Sequence, residues 1–459
     1  MKNQKLQIHN ELRPYEDYKK TELLWLDYIP KHWNMIRNKN VMKVEKEIVG
    51  RNHSKYTLLS LTKRGIIPRD LENAKGKFPK DFEAYQVVNP NNIVFCLFDM
   101  DETPRTVGLS SMKGMITGSY NVFKIENINE KYLYYYYLSL DNSKKLRSLY
   151  TGLRKVIHIE TFLRTKMPNP PMEEQKQIVK YLDCKLSKIR KFIKEKKKII
   201  DLLKQQKKVF INEAIIGKIK IENGECKVRY KSEMKPSGIQ WVEEIPNHWI
   251  KCKLKHLGKF KSGDSITSSQ IDMKGKYPVY GGNGLRGYFD KYTHDGNYLL
   301  IGRQGALCGN VHLVKGRFWA SEHAVVVTTN SNVNVDWAKY LIETMNLNQY
   351  SQSAAQPGLA IERIINIYTM LPPIEEQKKI VDYIIRITDK IDKSILHINK
   401  EISLITEYGI RLISDIVIGK VDVRNIPVDE FIPEEDITHE IEDEIIHNRE
   451  EADIKEIEL

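Results

Sequence analysis

This chain is written twice, and that limits what it can fold into more than any other feature. Trp25-Leu-Asp-Tyr-Ile-Pro30-Lys-His-Trp33 recurs 216 positions later as Trp241-Val-Glu-Glu-Ile-Pro246-Asn-His-Trp249. Pro170-Pro-Met-Glu-Glu-Gln175-Lys-Gln-Ile-Val-Lys-Tyr181 recurs 202 positions later as Pro372-Pro-Ile-Glu-Glu-Gln377-Lys-Lys-Ile-Val-Asp-Tyr383. At the same offset Ala214-Ile-Ile-Gly217-Lys218 returns as Ile416-Val-Ile-Gly419-Lys420. Three ordered matches are beyond chance, and the period is far too long for a solenoid. Each half of the 459 residues therefore follows one plan: a lead-in motif, a variable head, a Pro-Pro stop and a helix.

After the first Pro-Pro, Glu173 and Glu174 load the opening turn, where the helix dipole favours negative charge. Apolar spacing then alternates four and three through Leu182, Leu186, Ile189, Ile193, Lys196, Ile200, Leu203, Lys207, Phe210 and Ala214. The second copy runs Ile384, Thr388, Ile391, Ile395, Ile398, Ile402, Ile405, Gly409, Leu412 and Ile416. That is a heptad seam held over four repeats, the pattern of a coiled coil. Both helices stop at a Gly-Lys pair. Each spans roughly 43 residues, so about 65 Å. Matched length, register and end points predict that the two seams face each other; the competing reading packs each seam on its own head. Lys194, Lys197 and Lys198 fall between seam positions and solvate the outer face.

The heads read as α/β with many short strands. Asn89 to Phe98 is a turn followed by a buried strand. Tyr277 to Gly284 is a strand running into a glycine-rich turn, Asn297 to Ala306 a strand and a turn, and Ala324 to Val327 another strand. Lys131–Tyr137 and Asp336–Ile342 are helix-like aromatic stretches. Their tyrosines are expected to pack helix on sheet more than to stack on bases.

The formal charge of +13 conceals a split. From Asp429 onward 14 acids face Arg449 and Lys455, whereas the rest carries 71 basic and 46 acidic residues, a net +25. A body this basic attracts polyanions, and the acidic tail reads as solvated. Charge alone leaves DNA, RNA and a membrane surface open. No run approaches 18 apolar residues, so no membrane span is expected. The polar N-terminus is no secretory signal, and the expected location is cytoplasmic. Cys96, Cys184, Cys226, Cys252 and Cys308 form no Cys-x-x-Cys pair, so neither zinc nor a disulfide framework is supported.

Several motifs suggest chemistry and fail on context. Gly282-Asn-Gly284-Leu-Arg-Gly287 spells a dinucleotide fingerprint, but Tyr288-Phe289-Asp290 follows where an amphipathic helix is needed. The Gly-Lys pairs at 76, 217, 258, 275 and 419 lack the Ser or Thr of a phosphate loop. Asn169-Pro-Pro-Met172 approaches the Asn-Pro-Pro-aromatic motif of amino-methyltransferases. Met replaces the aromatic, however, and the second copy is Leu371-Pro-Pro-Ile374, so helix initiation is the better account. His32 and His248, with no convergent carboxylates visible in sequence, read as packing residues.

At this point the chain resembles type I restriction-modification specificity subunits. The resemblance rests on the paired Ile-Pro-x-x-Trp and Pro-Pro-x-Glu-Glu-Gln motifs and on the runs Tyr277–Gly284, Ile301–Ala306 and Phe318-Trp319-Ala-Ser-Glu-His323-Ala. It covers about residues 25–420, with weaker counterparts in the first head at Asn92–Phe95, Thr106–Gly108 and Gly118–Tyr120. It implies an α/β (α+β) chain with two target-recognition domains joined by two long antiparallel coiled-coil helices in a pseudo-two-fold internal repeat. The expected divisions are 1–171, the first head with its N-terminal segment; 172–217, the first spacer helix; and 218–246, a linker and lead-in. Residues 247–373 form the second head, 374–419 the second spacer helix and 420–459 the acidic tail. The resemblance further implies that each head reads half of a bipartite double-stranded DNA site. Two methyltransferase subunits and two nuclease/translocase subunits would be partners, holding S-adenosylmethionine, ATP and Mg; this chain would hold no cofactor, no metal and no catalytic residue. Other readings are the specificity subunit of a methyltransferase-only or other bipartite restriction-modification system, an autonomous methyltransferase or nuclease, and a non-catalytic coiled-coil scaffold.

Base reading needs Arg for guanine and Asn or Gln for adenine. In the second head this selects Asn283, Arg286, Arg303 and Gln304, in or beside turns, with Ser268, Ser269 and Lys315 as phosphate contacts. In the first head it selects Lys63, Arg64, Arg69 and Arg105.

Overall fold

The structure, a computed structural model, describes residues 12–69, 82–150, 155–222, 225–305, 307–351 and 358–428. The acidic stretch from Asp429 lies outside them. The chain divides into two compact units, residues 1–197 with 398–459, and residues 198–397.

In the first unit the lead-in folds as a hairpin, Tyr18–Leu23 against Leu26–Pro30, with Tyr18 opposite Pro30 and Leu23 opposite Leu26. The Thr21 hydroxyl donates to Leu26 O and accepts from Leu23 N–H, which fixes the turn. Trp33 follows, fully buried. Asn34–Arg37 then pairs antiparallel with Lys166–Asn169, the strand that runs into Pro170. This pairing closes the head at its base. Above it four short strands lie in the order Met42–Val44, Asn121–Ile125, Ile93–Phe95, Val107–Leu109, with hairpins Leu59–Thr62/Gly65–Pro68 and Gln86–Val88/Gly114–Ile116 beside them. Helix α1 (Glu130–Asn142) covers the sheet and is capped by Asn129, whose side chain accepts from Tyr132 N–H.

The second unit repeats this footing. Met234–Ile239 pairs with Val242–Pro246, Ser237 takes the place of Thr21, and Ile250–Lys253 pairs with Tyr368–Leu371. Its sheet is larger: six strands in the order Gly258–Ser262, Ala324–Thr329, His294–Gly302, Val311–Ala320, Tyr277–Gly281, Gly284–Phe289. One pair, Tyr277–Gly281 with Val311–Ala320, is parallel. Helix α3 (Val335–Thr344) is capped by Asn334.

The long helices are α2 (Met172–Ile215) and α4 (Ile374–Val417), 44 residues each, so about 66 Å at 1.5 Å per residue. Every predicted seam position is buried or half-buried, while Lys194, Lys197 and Lys198 are exposed. In the first unit Lys196 pairs with Glu401 at 2.7 Å, and a β-carbon on Gly409 would lie 3.5 Å from Ile189 Cδ1. The partner number falls as the residue number rises, so the seams face each other antiparallel. In the second unit Lys207 pairs with Asp392 at 2.7 Å. Gly217 and Gly419 end the helices with φ of 75° and 77°. The next residue closes a Schellman motif in each: Lys218 N–H donates to Glu213 O, and Lys420 N–H to Asp415 O. Each stop is pinned by a lead-in motif. A β-carbon on Gly217 would sit 2.6 Å from Pro246 Cδ, and one on Gly419 2.3 Å from Pro30 Cδ.

One expected boundary needs correcting. Residues 218–246, read as a linker and lead-in, fold as the hairpins Ile219–Glu222/Glu225–Val228 and Met234–Ile239/Val242–Pro246, and bury Ile219, Ile239 and Ile245 in the core of the second unit. The absence of a heptad says only that a stretch is not coiled coil; its β-branched and apolar residues still need a sheet to bury them.

Candidate nucleic-acid interface

At one end of the second head's sheet three turns meet. Gly282-Asn283 joins Tyr277–Gly281 to Gly284–Phe289, Arg303-Gln304-Gly305 follows His294–Gly302, and Glu322-His323 precedes Ala324–Thr329. Backbone bonds lock them: Arg303 N–H donates to His323 O at 2.9 Å, and Leu359 N–H to Arg303 O at 2.9 Å. The glycines are there for close approach. A β-carbon on Gly302 would lie 2.1 Å from Gly282 O, and one on Gly282 2.9 Å from His323 O. The fingerprint-like run 282–287 is thus a hairpin turn, not a phosphate cradle.

These turns surround an open depression of about 540 Å³ lined by Asn283, Arg286, Gln304, Gly305, His323 and Gly358. Asn283, Arg286 and Gln304 are exposed and Arg303 half-buried. Arg303 Nη1 reaches to 3.5 Å from Ser262 Oγ. Three of the four sequence-selected base readers share one depression, and the fourth is adjacent in sequence. Two amides and two guanidiniums on a rigid sheet can present both donors and acceptors to base edges. His323 was missed as a side chain with a role of its own. Its Nδ1 lies 2.7 Å from Gln304 Oε1 and its Nε2 3.3 Å from Glu322 Oε1, so it orients the amide of Gln304.

Other expectations separate. Lys315 is exposed but pairs with Asn297, five residues short of Gly302 along the strand, hence about 17 Å from the turns. Ser268 and Ser269 are exposed in a short 3-10 turn. In the first head Lys63 and Arg64 form the two-residue tip between Leu59–Thr62 and Gly65–Pro68, and Arg69 follows with its N–H bonded to Leu58 O.

Arg105 is corrected. It is 6% exposed, and its Nη1 donates to Asp141 Oδ2 at 3.0 Å and Asn142 Oδ1 at 2.9 Å. A buried ion pair anchors a loop and offers nothing to a base edge. The tyrosines of α1 are likewise spent on packing: Tyr132 to Tyr137 are all buried, and desolvation pushes the Tyr132, Tyr135 and Tyr137 phenols well above their usual range.

Sequence reasoning also missed two clamps at each helix start. Buried Glu174 accepts from Tyr15 Oη at 2.6 Å and Trp33 Nε1 at 2.9 Å, and lies 2.8 Å from His32 Nε2. Burial, then the bond to Glu174, holds the Tyr15 phenol far above its usual range. Glu376 does the same for Trp249 at 3.1 Å and His248 at 2.7 Å, with Arg229 Nη2 at 2.5 Å in place of the phenol. Gln175 Oε1 accepts from Asn129 N–H at 2.8 Å, and Gln377 Oε1 from Asn334 N–H at 2.7 Å, tying each head helix to its spacer helix. Asn169, part of the methyltransferase-like run, only accepts from Gln175 Nε2. The signal was present: helix initiation explains the acids, but not a Gln kept in both copies.

Among the described residues no group of three His, Cys, Asp or Glu could hold a metal, and no helix is long and apolar enough to cross a membrane.

Comparison with known proteins fits this geometry. The profile of the family described as type I restriction modification DNA specificity domain matches residues 30–205 and again 246–404, and the chain belongs to that family. It is 46% identical over 150 residues to the type I restriction enzyme EcoprrI specificity subunit of Escherichia coli, covering 31% of this chain and 36% of that one. It is 27% identical over 116 residues to a putative type I restriction enzyme specificity subunit of Haemophilus influenzae, covering 25% and 30%. The chain thus spans about a third of the length of these relatives. A chain solved in work on complex assembly and conformational transition of the type I R-M system shares the fold, with TM-score 0.59 over 85% of this chain and 99% of that one at 13% identity.

Proposed function

We propose that this chain is the DNA-reading subunit of a type I restriction-modification complex, without a catalytic centre of its own. The carrying observation is that the specificity-domain profile matches twice, on two heads with one footing and different loops. Each head reads half of a bipartite double-stranded site. The basic body meets phosphates, a sequence-blind and salt-dependent attraction, and the exposed side chains around Asn283, Arg286, Arg303 and Gln304 discriminate bases in the second half. Methyltransferase subunits would bring S-adenosylmethionine, and nuclease subunits ATP and Mg. The place of action is the cytoplasm.

Single-molecule methylome sequencing of a host with and without the gene tests this. A bipartite adenine-methylated motif should appear only with the chain present. If no motif depends on it, or if the purified chain alone transfers methyl groups, the reading fails.

A further inference from the structure

The heads differ in sequence, yet both close one loop with the same backbone scheme. In the second head Gly302 N–H donates to Asn310 O at 2.8 Å, Leu359 N–H to Arg303 O at 2.9 Å, and Gln304 bridges Gly358. In the first head Cys96 N–H donates to Thr106 O at 2.8 Å, Ile157 N–H to Leu97 O at 2.8 Å, and Phe98 bridges Val156. Val156 and Ile157 precede Gly358 and Leu359 by 202 positions, the offset of the duplicated helices. Residues 97–105 are therefore the fold counterpart of residues 303–309, where Arg303 and Gln304 stand.

The first-head loop is well fixed. Asp99 takes φ 45°, its N–H donates to Lys155 O at 2.8 Å, and Thr103 N–H returns to Asp99 O at 2.8 Å. Arg105 anchors its far end through Asp141. Asp99 and Glu102 are exposed; the Asp101 side chain is half-buried and accepts from Tyr150 Oη at 2.9 Å. Lys155 Nζ lies 3.1 Å from Asp101 Oδ2 and also pairs with Glu102. Beside the loop is an open depression of about 580 Å³, whose lining includes Asp101, Lys144, Lys145, Arg147, Tyr150 and Lys155. Lys155 is paired with Asp101 and Glu102, and Lys144 with Asp141 at 2.8 Å, so Lys145 and Arg147 are the cations of the hollow that suit a polyanion.

We propose that loop 97–105, and not the basic hairpin tip at Lys63-Arg64, reads the first half of the DNA site. This rests on the function proposed above. Asp99, Asp101 and Glu102 accept hydrogen bonds from base amino groups, cytosine N4 or adenine N6, and reject the carbonyl oxygens that guanine and thymine present in the same groove. Lys145 and Arg147 meet the flanking phosphates, and Lys155 offsets the repulsion between carboxylates and backbone. The two half-sites are thus read with different chemistry: accepting carboxylates in the first head, donating guanidiniums and two-way amides in the second.

The test uses the complex of this chain with its methyltransferase partner. Asp99→Asn, Asp101→Asn and Glu102→Gln keep size and are surface changes; Lys63→Ala/Arg64→Ala is the comparison. At least one loop variant should relax one position of the first half-site about 5- to 150-fold, leaving the second intact. For wild type, deoxyinosine for deoxyadenosine or N4-methyldeoxycytidine for deoxycytidine at that position should cost as much as the variant does, and the two losses should not add. If all three loop variants keep the first half-site while the hairpin variant changes it, the inference is overturned. If no bipartite site depends on the chain at all, the underlying function fails instead.

Discussion

In the second head one six-stranded sheet brings its turns to a single end; in the first, four strands and separate hairpins share the task. Below that level the heads share one footing. Trp33 and Trp249 are fully buried, Asn129 and Asn334 cap the head helices, and Lys144 and Asn346, 202 positions apart, take φ of 48° and 47°. Duplication kept the groups whose partners lie inside the chain and released those whose partners would lie outside it.

The largest test of that comparison removes the shared anchor. Trp33→Ala and Trp249→Ala should each cost about 3–5 kcal/mol, seen by hydrogen exchange as lost protection confined to the unit that holds the residue. An effect from only one of them would break the equivalence. The carboxylate clamps sharpen it. Glu376→Gln strands Arg229, whose side chain is only 9% exposed, and should cost about 3–5 kcal/mol. Glu174→Gln leaves mainly neutral donors and should cost about 1–3 kcal/mol; chemical denaturation of both variants would rank them, and a reversed order would contradict the assigned partners. Arg303→Ala should weaken specific binding by about 1–3 kcal/mol and relax the second half-site alone; a loss uniform across sequences would make Arg303 a phosphate contact. Smallest of all, Lys315→Ala should lower affinity evenly and reduce the salt slope by about one, so a change of recognised base there would overturn its placement away from the turns.

The repeat and the heptads made the helices and their facing seams legible in sequence, because a heptad pattern held along 44 residues averages over local exceptions such as Lys196 and Gly409. The second-head cluster was legible because glycine-flanked turns after strands announce themselves. What stayed hidden was pairing at a distance. Nothing near Arg105 reveals Asp141, 36 residues on, and nothing near Pro170 reveals that Glu174 reaches back 141 residues to Trp33. The linker error has the same root, since Ile219, Ile239 and Ile245 gain their meaning from a core assembled elsewhere in the chain. In loop 97–105 the sequence reading singled out Arg105 and not the carboxylates, because base reading was sought in Arg, Lys, Asn and Gln.

The pinning of Gly419 under Pro30 sets an order of events. The first head's floor includes Gly419, the carbonyl of Val417 that Tyr132 bonds at 3.3 Å, and Asp422, which bridges Arg13, all of which follow the second unit in sequence. Where the second unit has the continuous hairpin Ile219–Glu222/Glu225–Val228, the first has this meeting of distant ends. At about 5–20 residues per second, the roughly 200 residues between Lys197 and Ile398 take about 10–40 s to emerge from the ribosome. For that interval the first-born head stands with Trp33 unroofed, while the second-born unit, contiguous from Lys198 to His397, has all its parts as soon as it is made.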